Sequence, residues 1–332
     1  MTPFEFIYYL GYTVKKKYSL SHRKVLPHKV ISIGNLTVGG TGKTPAVIAV
    51  AEEAKKRGYR PVILTRGYRG NAKGPCLVSN GSAALLSVEA AGDEPVVMAD
   101  RLKDVLVVKS ADRYEGGVFA MQQPRGDDPN LLFILDDGFQ HWRLSRDVDI
   151  VLVDGQNPFG NRKMLPVGPL RGPLSELKDA DILVITKAGN EALALELHKM
   201  NGDVPVFSAT HEVTGIRQAD GAAADFDLLK GEKVLAFCGI ANPASFTKTL
   251  SLLGCKVVEL KQYRDHYRYC LWDIRGLEER GKRLGVEFLL TTEKDMVKIR
   301  ELKFTPSNLL SVEIGFSIDK RFYDEAFKKV AR

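Results

Sequence analysis

Short apolar runs alternate along this chain with stretches carrying the 3.6-residue rhythm of helices. Lys29–Ile33 (KVISI), Pro61–Thr65, Val105–Val108, Leu131–Leu135, Ile150–Val153 and Ile182–Ile185 read as strands, and Pro45–Arg57 and Glu94–Lys103 as helices. Strands that are apolar throughout predict a parallel sheet covered on both faces. A second set begins near Lys233, with strands at 234–240, 256–260 and 287–292 and helices at Ser245–Leu253 and Asp273–Leu284. A polar, alanine- and glycine-rich stretch, Ala219–Gly231, marks the boundary between the sets. Val206–Ile216 and Leu309–Ile318 are both extended in pattern, and can pair as a two-stranded link.

The N-terminal run FEFIYYLGYTV (4–14) is followed by three lysines. It is too short to span a bilayer, which takes about 20 apolar residues, and its charge order is wrong for a signal peptide. At helical spacing Ile7, Leu10, Val14 and Tyr18 share one face. That face suits a helix lying on a membrane, with Tyr8, Tyr9, Tyr12 and Lys15–Lys17 at the headgroups, and equally a helix packed on the core.

The 332 residues allow two domains, and 44% apolar with 27% charged residues is an ordinary globular mix. The net charge of +7 favours acidic partners: phosphates, an anionic membrane or nucleic acid. No nucleic-acid motif appears, and no obligate protein partner is evident. Cys76, Cys238, Cys255 and Cys270 lack metal spacing and are expected as free buried thiols.

After KVISI comes Gly34-Asn35-Leu36-Thr37-Val38-Gly39-Gly40-Thr41-Gly42-Lys43-Thr44. This is a phosphate-binding loop in all but its leading glycine, replaced by Thr37. Thr37, Val38, Gly39, Gly40, Thr41, Gly42, Lys43 and Thr44 are the candidate nucleotide-binding residues. Backbone N–H groups and the helix N-terminus meet phosphate, Lys43 reaches the β- and γ-phosphates of ATP, and the Thr44 hydroxyl ligates Mg²⁺. The apolar strand Leu131–Leu135 ends in Asp136-Asp137-Gly138-Phe139-Gln140-His141. Its paired acids are the favoured metal ligands, with Asp154 as rival.

Other polar residues carry two readings each. Asp93 in GDEP reads as an N-cap. Thr292 and Asp295 in TTEKD read as a capping box. His266 is an acid–base candidate or a solvated side chain. Arg66 and Arg113, in loops after strands, bind phosphate or are solvated. Arg171 lies in a proline-rich loop that can line a site.

Taken together, GNLTVGGTGKTP (34–45), TRGY (65–68), GDEP (92–95), LDDGFQH (135–141), LPVGPLR (165–171), GIANP (239–243), RDHY (264–267) and TTEKD (291–295) resemble the tetraacyldisaccharide 4′-kinase family, in family order. The resemblance implies ATP-dependent phosphorylation of the 4′-hydroxyl of a tetraacyldisaccharide 1-phosphate, giving lipid IVA in lipid A biosynthesis. It implies a glycolipid substrate and a peripheral position on the anionic cytoplasmic face of the bacterial inner membrane. The implied fold is a P-loop NTPase-like α/β/α sandwich (1–205) with a smaller α/β domain (230–305), a two-stranded hinge (206–218 with 307–318) and a C-terminal helix (319–332).

Carried over by position, the resemblance makes Asp93 the base, with His266 its partner from the other domain. Lys43 and Asp137 complete the catalytic set, and Thr44, Asp136 and Asp137 hold Mg²⁺. Tyr68, Arg113, Gln140, His141 and Arg171 are implied near the nucleotide or the acceptor. Two departures stand out. Gly172 replaces an acidic residue usual after the arginine, and Arg264 and Tyr267 replace the proline and second histidine of the family's PDHH. A GTPase or metal-insertion ATPase is disfavoured, because Thr186-Lys187-Ala188-Gly189 lacks the aspartate of a guanine reader. A silent nucleotide-gated membrane adaptor is the remaining rival.

Overall fold

The computed structural model describes residues 2–124, 126–187 and 191–331. Of the segment read against guanine, Ala188 and Gly189 lie outside the described residues.

Thirteen strands among the described residues form one sheet. They are β1 (Lys29–Asn35), β2 (Arg60–Thr65), β3 (Cys76–Ser79), β4 (Leu106–Lys109), β5 (Leu131–Asp136), β6 (Val148–Asp154), β7 (Ile182–Thr186), β8 (Val206–Gln218), β9 (Ala223–Ala224), β10 (Lys233–Cys238), β11 (Lys256–Gln262), β12 (Phe288–Thr292) and β13 (Leu309–Ile318). The order is β11-β10-β12-β13-β8-β7-β6-β1-β5-β2-β4-β3, with β9 beside β8. The pattern of apolar runs thus marks every long strand.

The two extended segments β8 and β13 pair with each other as neighbours within the one sheet. β8 pairs parallel with β7 through Val206–Ala209, then antiparallel with β13 from Ala209 to Gln218. β13 in turn pairs parallel with β12 through Leu309–Val312. Backbone hydrogen bonds therefore run without a break from the N-terminal half to the C-terminal half. The larger core surrounds β1, β5 and β2 with Ile31, Val47, Ile63 and Phe133. The smaller one packs Leu235, Phe237, Ile274 and Leu289. The C-terminal helix Lys320–Lys328 returns to the larger core, where Phe322 meets Phe207 and Phe327 meets Tyr59.

The N-terminal helix spans Pro3–Ser21, with Thr2 and Glu5 closing a capping box. The opposite face to the predicted stripe packs on the protein. The Tyr8 hydroxyl donates to the Arg171 carbonyl at 3.0 Å, Tyr12 stands edge-on to Trp142, and Lys16 pairs with Glu176 at 2.6 Å. Ile7, Leu10, Val14 and Tyr18 are left more than half exposed. No helix among the described residues is long and apolar enough to cross a membrane. The cysteines are free, but the expectation that all are buried fails. Only Cys238 is buried, and Cys270, preceding a helix whose apolar face is elsewhere, is exposed.

Phe133 on β5 is fully buried in the core with Val30 and Val62. Phe133→Ala should cost about 3–5 kcal/mol by lost transfer and a residual cavity, read as a lower urea midpoint with unchanged slope.

Candidate active site

β1 delivers the glycine-rich loop beside β5, with Ile33 level with Asp136. Helix Lys43–Lys56 then starts at Gly42, which takes φ 85° and supplies no side-chain cap. The first helical N–H groups are thereby left for an anion, as phosphate loops require. Only glycine fits at 42, because a Cβ would collide with the His211 ring from β8. Thr186 at the end of β7 donates to the Thr41 carbonyl at 3.1 Å and fixes the loop from the other side. Thr37, Thr41 and Thr44 are buried, and Val38 is half exposed.

The Lys43 ammonium lies 3.1 Å from Asn35 Oδ1 and 3.6 Å from Asp137 Oδ1. Arg171 grips both Asp137 oxygens at 2.8 Å and also bonds Asn35. Asp137 adopts φ 53°, a left-handed backbone that turns its carboxylate out of the strand direction. Burial works to raise this carboxyl, but the Lys43 charge and the Arg171 fork outweigh it and hold it far below the usual range. Its neighbour goes the other way. Burial, with Glu94 and Asp137 facing it, pushes Asp136 up to about 6, despite a 2.8 Å bond from the Thr65 hydroxyl.

That excess of negative charge at Asp136 is what a hard divalent cation relieves. Thr44, Asp136 and Asp137 fit Mg²⁺, which typically takes one or two carboxylates, waters and substrate phosphates. No group of three or more His, Cys, Asp or Glu side chains that could hold a metal ion is found among the described residues. The rival Asp154 is committed elsewhere. It pairs with Lys187 at 2.5 Å and accepts from the Gln156 amide.

Asp93 and His266 meet from opposite halves of the chain, Oδ2 to Nδ1 at 2.7 Å. Gly92, not Asp93, caps helix Asp93–Arg101, so the carboxylate is freed to face the imidazole. His266 sits at φ 56°, on the loop after β11. Burial raises Asp93, but the His266 hydrogen bond and the Lys294 and His266 charges outweigh it and lower it. The bond to Asp93 raises His266 against its burial. Tyr68 is exposed with its ring 5.7 Å from the imidazole, and Arg69 donates to the Asp265 carbonyl at 3.2 Å.

The other expected residues take less direct places. Arg113 begins a helix and is neither solvated nor free to fork a phosphate. Its guanidinium is buried and donates to the carbonyls of Ser110, Ala111 and Asp136. His141 accepts the Arg113 N–H through Nε2, and burial with the Arg113 charge lowers it to about 4. Gln140 is partly buried, with its Nε2 unpaired among the described residues. Arg66 is exposed on a cavity of about 490 Å³ shared with Tyr68, Arg69, Lys73 and Lys109.

Sequence reasoning assigns no role to Asn35, Glu94, His211 or Lys294. Asn35, Glu94 and Lys294 lie inside the blocks GNLTVGGTGKTP, GDEP and TTEKD, a local signal that His211 lacks.

The chain has relatives among known proteins. The model of the family "LpxK: Tetraacyldisaccharide-1-P 4'-kinase" matches residues 1–332. The chain belongs to the tetraacyldisaccharide 4′-kinase family. It is 41% identical over 318 residues to the Tetraacyldisaccharide 4'-kinase of Chlorobium luteolum, covering 92% of this chain and 89% of that protein. It is 39% identical over 313 residues to the enzyme of Syntrophus aciditrophicus, covering 90% and 83%. A crystal structure of LpxK from Aquifex aeolicus in complex with ATP shares 34% identity at TM-score 0.81, over 99% of this chain and 98% of that one. The chain is thus an ATP-dependent kinase for the 4′-phosphorylation step of lipid A biosynthesis.

Within this tetraacyldisaccharide 4′-kinase the departure at Gly172 has a structural reason. A Cβ there would lie 2.7 Å from the Tyr12 hydroxyl, so the N-terminal helix occupies the space a side chain would need.

The Asp93–His266 pair sets a pH dependence. A lowered Asp93 contributes stability above about pH 4 that is lost as pH falls through its folded value. A raised His266 contributes stability below about pH 6.5 that is lost as pH rises through its folded value. The stability advantage of the wild type over His266→Ala should therefore be larger at about pH 5.5 than at about pH 9 in urea unfolding. An equal advantage at both contradicts the ion pair.

Proposed function

We propose that Asp93 is the base that accepts the proton of the acceptor's 4′-hydroxyl, with His266 as its partner. The observation that carries this is their 2.7 Å contact across the two halves, on the helix whose Glu94 charge reaches Lys43 and Asp136. A carboxylate within hydrogen-bond reach of a hydroxyl can take its proton as the oxygen attacks. His266 orients Asp93 and keeps it ionised. Lys43, the loop amides of Thr37–Thr44 and the helix N-terminus hold the β- and γ-phosphates of ATP and offset their charge. Mg²⁺ at Thr44, Asp136 and Asp137 supplies further neutralisation of phosphate charge. Asp136 is the better placed carboxylate, since Arg171 occupies both Asp137 oxygens.

The acceptor enters beside Tyr68. The cavity carrying Arg66, Arg69 and Lys73 suits an anionic sugar phosphate, and Tyr68 connects it to the Asp93–His266 pair. Gln140 and His141 follow Asp136 and Asp137 in the chain, with His141 held by the Arg113 N–H, and complete the polar surroundings of the acceptor.

The exposed stripe Ile7, Leu10, Val14 and Tyr18, with Phe4, Phe6 and Val25 also exposed, supports a helix seated on the anionic cytoplasmic face of the inner membrane. Tyr8 and Tyr12 tie that helix to Arg171 and Gly172, so the lipid surface and the phosphate site share one frame. The units 1–205 and 230–305 flex about the paired strands β8 and β13, and their approach excludes water from the transfer.

Asp93→Ala should lower phosphate transfer from labelled ATP to the purified disaccharide lipid by at least about 10²-fold, with nucleotide affinity little changed. Near-wild-type turnover removes the base assignment. Leu10→Lys with Val14→Lys should weaken sedimentation with anionic vesicles by about tenfold or more, since lysine is costly in the acyl region. Unchanged sedimentation contradicts the membrane reading.

A further inference from the structure

Two sequence blocks, GIANP and TTEKD, have no part in the proton transfer described above, yet they frame it. Gly239 stands at the junction. Its N–H donates to Asp295 Oδ2 at 2.9 Å, and its carbonyl accepts the His266 N–H at 2.9 Å. Thr292 caps helix Glu293–Ile299 by accepting the Asp295 N–H at 3.2 Å. Asp295 is fully buried and pairs with Lys298 at 2.8 Å. Only half of the capping box expected of TTEKD forms: Thr292 caps the helix, but the Asp295 carboxylate accepts from the Gly239 N–H and the Thr292 hydroxyl and not from the Thr292 N–H, because it anchors the helix to Gly239. A Cβ at Gly239 would sit 3.0 Å from Tyr267 and 3.2 Å from Asp295, which leaves little room to loosen this joint. The His266 loop and the Lys294 helix are therefore presented as one rigid unit.

That unit meets adjacent residues of a single helix. His266 takes Asp93, and Lys294 pairs with Glu94. Further along the same helix, Arg300 pairs with Asp100 at 2.7 Å, and Arg101 pairs with Glu293 at 2.8 Å and Glu313 at 3.6 Å. Every charged side chain of helix Asp93–Arg101 is thus matched by one from the C-terminal half.

We propose that Lys294 is a positioning residue for the phosphoryl transfer: by pairing with Glu94 it clasps helix Asp93–Arg101 to the C-terminal half and so holds Asp93 against His266. The inference rests on the reading of Asp93 and His266 as the proton-accepting pair. Two features point to Lys294 in particular. It is one residue from the Asp295 anchor, so its backbone is fixed. Its partner is one residue from the base, so a slack Glu94 lets Asp93 turn away. The Lys294 charge also reaches Asp93 and His266 themselves and depresses both. The outer pairs at Asp100 and Arg101 lie two turns from the base and set the helix only coarsely.

The test is a double-mutant cycle in the labelled-ATP transfer assay with the full-length chain and the disaccharide lipid. Lys294→Met should lower kcat by about tenfold to a hundredfold, the size of a lost charge-assisted bond, with the nucleotide KM within about threefold. Lys294→Arg should recover most of that loss. In a His266→Ala background, Lys294→Met should cost less than about threefold, because the contact it serves is already gone. Thermal unfolding of each variant shows whether it is folded, and Lys294→Gln replaces the methionine variant should that one melt early. An undiminished loss in the His266→Ala background overturns the inference, as would be the case if Lys294 touched the phosphate directly. So does an arginine variant no better than methionine, or wild-type kcat in Lys294→Met. In each of these cases the base assignment stands if Asp93→Ala remains crippled, so the two readings fail separately.

Discussion

A carboxylate and an imidazole from distant parts of the chain, 173 residues apart, meet at 2.7 Å, and the arrangement of the site turns on that contact. Neither residue belongs to the phosphate loop. Asp93 comes from a helix of the N-terminal half and His266 from a loop of the C-terminal half. Their contact therefore depends on how the halves are held together. The continuous sheet gives the coarse answer, because β8 and β13 join both halves by backbone hydrogen bonds. The charged helix Asp93–Arg101 gives the fine one.

Around this contact the charges are sorted by environment. Asp136 and Asp137 are neighbours in sequence, yet burial beside like charges raises the first and Lys43 with Arg171 lowers the second. Two adjacent carboxylates thus differ in charge state, and Asp137 anchors the phosphate-loop lysine. The same loop is clamped from outside by Thr186 and His211, contributed by β7 and β8. β8, which pairs with strands of both halves, therefore also approaches the glycine-rich loop at Gly42.

Much of this is legible in the order of residues alone. The phosphate loop is local chemistry, written in Gly39, Gly42, Lys43 and Thr44, and the strand preceding it and the helix following it come from periodicity. The amphipathic stripe Ile7–Tyr18 is legible too, though periodicity alone does not tell a core face from an exposed one. What escapes depends on partners far away. Asp93 reads as a cap because a cap needs only its own helix, whereas its imidazole partner arrives from residue 266. Arg113 reads as a loop donor because its carbonyl partners lie on β5 and the turn after β4. Asn35 and Lys294 show their purpose only when Lys43, Arg171 and Glu94 are beside them. The family resemblance closes part of that gap for Asp93 and His266, and none of it for Lys294.

The phosphate loop and the Asp93–His266 pair serve one reaction, and a crystal structure of this chain with Mg²⁺ and a non-hydrolysable ATP analogue tests that most directly. The expected result is a terminal phosphate between the Lys43 ammonium and the Asp93–His266 contact, with Asp136 facing the metal. A terminal phosphate directed away from Asp93, with the Asp93 carboxylate turned to solvent, would contradict it.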